Sequence, residues 1–165
     1  MKMTIVEERL KIRFIAINPT DQTIDLDDIV LSNEDKVSLL NALSADNKIT
    51  NDVLLVFDYG TRLEYGIYLF SHAQNSLKSK PIQESTIHAE PNDLIHQIID
   101  TFNDNKIPSP TCVYIGHRSN EIIDKLKEKY EVEAVNYPYN FPKKTKTTIV
   151  ECAAGSDTDK SNENN

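Results

Sequence analysis

An aspartate at the end of the most apolar run in the sequence is the first residue suited to chemistry. Asp52 and Asp58 enclose five consecutive apolar residues, 53–57, and such a run is typical of a strand buried on both faces. Open α/β sheets place ligand sites at the carboxyl ends of their strands. Asp58 is therefore a candidate catalytic residue and metal ligand. The alternative is an aspartate that caps the following turn through its own backbone.

A second candidate is the run Gly116, His117, Arg118 and Ser119, which connects a predicted strand to a predicted helix. Free N–H groups at the helix start, the Ser119 hydroxyl and the Arg118 guanidinium suit a phosphate or carboxylate ligand. Gly116 permits close backbone approach, and the His117 imidazole can transfer a proton near neutral pH. The alternative is an ordinary connection in which Ser119 caps the helix. If the two strands are neighbours, Asp58 and His117 meet in a small anion or metal pocket.

The third feature is an aromatic–proline segment, residues 137–142, in which three aromatic rings alternate with Pro138, Asn140 and Pro142. It is followed by the one basic run of the chain, Lys143, Lys144 and Lys146. Such a segment could dock a partner or stack on a base. The alternatives are rings that fold onto the sheet and a basic run that is a solvated connector.

Hydrophobic periodicity predicts the elements that position these residues. Apolar residues alternate with period two in the strands and recur at helical spacing in the helices. In order, the predicted elements are strands at 52–58, 63–71 and 82–89, a helix from Pro91, a strand at 111–115, a helix capped by Ser119 and a strand at 132–137. Strand–helix–strand passages imply parallel pairing. We therefore predict an α/β fold with a mixed five-stranded sheet in βββαβαβ order, the order of ribonuclease H-like folds.

The rest of the chain suggests four regions. Residues 1–51 are predicted as a ββα extension, with strands near 9–18 and 23–31 and a helix capped by Ser32. Residues 52–142 form the ribonuclease H-like core, and residues 143–154 are a basic connector or edge strand. Residues 155–165 contain no apolar side chain and are predicted to be disordered.

The segment around Asp58 carries a family resemblance. The runs FDYGTRLEYGIYLFS and KPIQESTI contain Asp58 at a strand end, Gly60-Thr61 in a turn, Gly66-Ile67 in the second strand and Pro81 before the third. In these features residues 53–116 resemble the Holliday-junction-resolvase-like family of bacterial nucleases implicated in pre-ribosomal RNA processing. The resemblance implies a ribonuclease H-like fold and a metal-dependent nuclease in which Asp58 is a ligand.

The carboxylates that the resemblance implies are incomplete. Two-metal cleavage needs several carboxylates around a pair of Mg²⁺ ions. Relatives supply them from the first strand, from the fourth strand or first helix, and from a late helix. Here the fourth strand ends without an acid before Glu121, and prolines follow the fifth strand. Mg²⁺ or Mn²⁺ is therefore implied only if the chain is a nuclease, and no other cofactor is indicated.

Composition narrows the classes of partner. The 165 residues carry a net charge of −8, which disfavours non-specific nucleic-acid binding because that requires a basic surface. No stretch has the length and apolarity of a membrane span or signal peptide, and two lone cysteines suit a reducing compartment. We therefore expect an acidic, cytoplasmic protein.

Three hypotheses for function follow. The first is a non-catalytic or degenerate ribonuclease H-like module that acts through a protein partner. The second is a metal-dependent nuclease that uses Asp58. The third is a small-anion or phosphate-binding domain that uses the loops at the strand ends, with residues 116–119 as its ligands.

Overall fold

The computed structural model of the protein describes residues 10–59, 64–77, 83–85, 90–107 and 110–142. In these ranges the chain forms α-helices, β-strands and a single 3₁₀ turn at Leu26–Asp28. The strands and α-helices are, in order, β1 (Lys11–Pro19), α1 (Asn33–Ala45), β2 (Val53–Tyr59), β3 (Glu64–Ser71), β4 (Ser76–Leu77), β5 (Gln83–Ser85), α2 (Pro91–Asp104), β6 (Thr111–Gly116), α3 (Ser119–Lys127) and β7 (Glu131–Tyr139). The predicted α/β class is confirmed.

The strands form one mixed sheet. Its order is β4-β3-β2-β6-β1-β7, and β5 also pairs with β3. β2 runs parallel to β6, β6 to β1, and β1 to β7, whereas β2 and β3 form the predicted antiparallel hairpin pair. β2 is therefore an interior strand, and its Asp58 end lies beside the end of β6.

The predicted five-stranded order is not confirmed. β1, which falls within the predicted extension of residues 1–51, lies between β6 and β7 and pairs with both. The segment predicted as a strand at 23–31 instead contains the 3₁₀ turn. The Asp25 carboxylate accepts a hydrogen bond from the Asp27 N–H at 3.0 Å, and this local bond favours a turn over an extended strand. The predictions for residues 60–61, 81 and 143–165 lie outside the described residues.

Helices cover both faces of the sheet. On β2, Leu54 and Val56 belong to one core cluster with α2 and α3. Leu55 and Phe57 point the other way, into a second cluster with α1. Burial on both faces explains why β2 reads as a continuous apolar run rather than an alternating one.

Local signals in two helices are confirmed. Ser32 caps α1, and its hydroxyl accepts the Asp35 N–H at 3.1 Å. α2 begins at Pro91 and buries the face that the periodicity predicted. None of the helices in the described ranges combines the length and apolarity needed to cross a bilayer.

Candidate functional site

The carboxyl ends of the parallel strands bring the predicted site residues to one edge of the sheet. Asp58 on β2 pairs in register with Gly116 on β6. The predicted condition that these two strands are neighbours is therefore confirmed. His117 and Arg118 follow Gly116 directly, in the connection between β6 and α3.

Asp58 is the centre of a buried ion pair with Arg118. The Arg118 guanidinium donates from Nε to Asp58 Oδ2 at 2.9 Å and from Nη2 to Oδ1 at 2.7 Å. The Asp58 side chain is fully buried, and that of Arg118 is 22% exposed. A bidentate guanidinium–carboxylate pair is a strong, oriented interaction. Its hydrogen bond to Asp58 raises the pKa of Arg118.

Tyr114 completes this network from within β6. Its hydroxyl donates to Asp58 Oδ2 at 2.7 Å and accepts the Arg118 backbone N–H at 3.0 Å. Burial, and then the Asp58 charge, raise the pKa of Tyr114. Both carboxylate oxygens of Asp58 therefore accept hydrogen bonds from the protein itself.

Gly116 is required by the path of the Tyr114 side chain. A Cβ at position 116 would lie 2.6 Å from the Tyr114 hydroxyl oxygen and 2.9 Å from the Asp58 Cβ. Glycine is thus the residue that lets the tyrosine cross the strand end and reach the carboxylate. At Gly116 the close approach is therefore made by the Tyr114 side chain and not by a ligand.

Ser119 does not cap α3 as predicted. Arg118 occupies the N-cap position without a side-chain capping bond, and Ser119 is the first helical residue. Arg118 takes the N-cap position because its backbone N–H binds the Tyr114 hydroxyl and its guanidinium binds Asp58.

His117 contacts two aspartates that were not among the predicted site residues. Its Nε2 lies 3.1 Å from Asp25 Oδ1 and 3.8 Å from Asp27 Oδ2. The Asp27 side chain is 6% exposed, whereas those of His117 and Asp25 are about half exposed. Hydrogen bonds from the Asp27 N–H and then from His117 lower the pKa of Asp25.

These three residues offer the donor atoms of a cation site. One ligand atom from each of Asp25, Asp27 and His117 lies within 4.8 Å of the others, and carboxylate with imidazole suits several divalent metals. A hydrogen bond between His117 Nε2 and Asp25 Oδ1 already engages two of these atoms. The aspartates were visible in the sequence as an acidic stretch, but no local signal connects them to a histidine 92 residues away.

The aromatic–proline segment packs against the structure. Tyr137 and Phe141 are buried in the core cluster that contains α1, and the Tyr139 and Phe141 rings meet edge to face at 5.1 Å. The Tyr137 hydroxyl donates to Asp46 Oδ2 at 2.5 Å. The rings therefore pack on the protein, but Tyr137 and Tyr139 do so from within β7 and not from the loop that the alternative supposed.

A groove opens beside Asp25 and the end of this segment. It has a volume of about 640 Å³. We call it the Asp25 groove, and it is lined by Asp21, Thr23, Ile24, Asp25, Asp28, Ile29, Val30, Leu31, Phe141 and Pro142. Its walls are largely apolar and its charged residues are all acidic.

Comparison with known proteins gives no match, whether with protein families, curated sequences or solved structures.

Proposed function

We propose that this chain is a non-catalytic, ribonuclease H-like module that acts through a protein partner. The placement of β2 between β3 and β6, with β5 paired to β3, supports the fold assignment. On this proposal β1 is an additional strand inserted between the fourth and fifth strands of the ribonuclease H-like order.

The observation that carries the proposal is the state of Asp58. Its two oxygens accept three hydrogen bonds, from Arg118 and the Tyr114 hydroxyl. A two-metal nuclease needs this carboxylate, with others, to bind Mg²⁺. In this chain a guanidinium supplies the positive charge instead, and it is tied to the carboxylate by two bonds.

The other carboxylates support the same conclusion. Within the described part of the chain, the group of side chains close enough to share an ion is Asp25, Asp27 and His117. That group does not include Asp58. A nuclease built on Asp58 would require Arg118 to leave a buried partner, which is costly because the remaining charge has no compensation.

The anion-binding hypothesis meets the same obstacle at Arg118. The guanidinium that would hold a phosphate already binds Asp58 through Nε and Nη2. His117, the neighbouring donor, faces two carboxylates that repel an anion. Protein interaction is favoured instead by the largely apolar Asp25 groove at the same edge of the sheet. We still expect the protein to be cytoplasmic.

A nuclease assay tests the proposal. The full chain is incubated with Mg²⁺ or Mn²⁺ and labelled single-stranded, duplex and branched DNA and RNA, beside an EDTA control and an Asp58→Asn variant. We expect no EDTA-sensitive cleavage from the wild-type chain. EDTA-sensitive cleavage that disappears in a folded Asp58→Asn variant would contradict the proposal, and circular dichroism establishes that the variant is folded.

A further inference from the structure

The Asp25 groove combines a buried apolar floor with an exposed apolar rim. Ile29, Leu31 and Phe141 are each more than nine-tenths buried and form the floor. Val30 on the rim is 52% exposed, and with Leu10 it forms the pair of large apolar side chains exposed in the described ranges. Exposed apolar surface next to a concave site is typical of an interaction surface.

The charge of the groove is one-sided. Its charged lining residues are Asp21, Asp25 and Asp28, and Asp28 is exposed to solvent. Asp25 also forms a hydrogen bond with His117. Asp28 projects from the 3₁₀ turn into solvent. The carboxylates favour a cationic occupant, since complementary charge steers association and selects partners.

The size of the groove limits what fits. Its volume of about 640 Å³ lies within the roughly 300–1,000 Å³ of ligand clefts. It can hold a few side chains of an extended peptide but not the face of a long helix. The apolar walls require aliphatic side chains, and the acidic residues require lysine or arginine beside them.

We propose that the Asp25 groove binds an extended segment of a partner protein in which lysine or arginine residues flank aliphatic ones. This inference rests on the proposed interaction function and names the chemistry of its partner. Aliphatic side chains lie against Val30 and the apolar floor, and the basic side chains pair with Asp21 and Asp28. Binding weakens with added salt because Asp28 is exposed to solvent and Asp21 is only half-buried.

The test uses fluorescence anisotropy of the full chain with a labelled ten-residue peptide of alternating lysine and leucine. A peptide with glutamate in place of lysine is its charge control. We expect binding of the lysine peptide and at least tenfold weaker binding of the glutamate peptide. Val30→Ser and Asp28→Lys should each weaken binding about tenfold, because the first removes an apolar contact without adding charge and the second reverses a recognised charge.

Two matched variants control for general effects of the substitutions. Leu10→Ser makes the same change at the other exposed large apolar residue, and Asp104→Lys reverses an exposed charge at the end of α2. Neither position lines the groove. We expect both variants to bind the lysine peptide within about twofold of wild type. Equal losses in the control variants would overturn the proposal.

The remaining outcomes identify other occupants. The peptide could fail to bind the wild-type chain but bind a triple variant with Lys143→Ser, Lys144→Ser and Lys146→Ser. This result would show that the chain's own basic run occupies the groove, and it would overturn the proposal of a partner segment. A dimer by light scattering that Val30→Ser dissociates would assign the groove to a second copy. Failure of both the wild type and the triple variant to bind also overturns the inference.

The two proposals fail separately. If the peptide does not bind and the chain shows no nuclease activity, the proposed partner segment is wrong but the proposed role of Asp58 stands. Nuclease activity that depends on Asp58 removes the proposed function, whatever the peptide does.

Discussion

Replacement of Arg118 by methionine is the sharpest perturbation of the Asp58 network. The variant keeps much of the side chain's bulk but leaves the Asp58 carboxylate, whose side chain is fully buried, without its two guanidinium bonds. Removing one partner of a buried ion pair costs about 3–5 kcal/mol, because an uncompensated charge stays in the interior. The Tyr114 hydroxyl still donates one bond at 2.7 Å, so we expect the lower half of that range.

Urea denaturation followed by circular dichroism measures this loss as a shift in the unfolding midpoint. The matched control is Lys129→Met, an exposed cation just after α3, which should change the free energy of unfolding by less than about 0.5 kcal/mol. The double variant Asp58→Leu with Arg118→Met should recover most of the loss, since apolar residues of similar volume replace buried pairs well. A loss below about 1 kcal/mol in Arg118→Met would mean that Asp58 does not depend on the guanidinium for its burial.

Three further variants test the close contact at Gly116 and the hydrogen bonds of Asp25 and Tyr137. Gly116→Ala should destabilise the protein by about 1–3 kcal/mol, because its Cβ would lie 2.6 Å from the Tyr114 hydroxyl oxygen; a urea midpoint unchanged from wild type would contradict the close contact. The lowered pKa of Asp25 contributes stability above the ordinary carboxyl pKa of 3.8, and this stability is lost as pH falls through the lower folded pKa. Asp25→Asn should therefore flatten the acid side of the stability–pH curve, and an unchanged curve would disprove the shift. The hydrogen bond to Asp46 raises the pKa of Tyr137 from 10.0 to about 12, so stability present below the lower value is lost between the two as pH rises. Tyr137→Phe should remove that part of the alkaline loss, measured by urea midpoints at a series of pH values.

Local patterns predicted the elements best. The run enclosed by Asp52 and Asp58 predicted β2, because burial on both faces leaves a continuous apolar sequence. The spacing of apolar residues after Pro91 predicted α2, because only one face of this helix packs on the sheet. The strand predicted at 23–31 was wrong at Leu26–Asp28, because Asp25 caps a 3₁₀ turn there through its side chain.

Long-range pairing was beyond the local patterns. The position of β1 between β6 and β7 depends on parallel contacts across about a hundred residues, and no turn residue specifies such a register. The sequence placed Asp58 and residues 116–118 at one edge correctly. It did not indicate that Tyr114, from inside β6, would share the Asp58 carboxylate with Arg118.

The most direct test of the central claim is a crystal structure of the chain soaked in excess Mn²⁺, with the ion located by its anomalous scattering. We expect no ion at coordination distance, about 2.0–2.5 Å, from the Asp58 oxygens, and a guanidinium of Arg118 that still donates to both of them. An Mn²⁺ ion bound by Asp58 with Arg118 displaced would show that Asp58 is a metal ligand and that the proposed function is wrong.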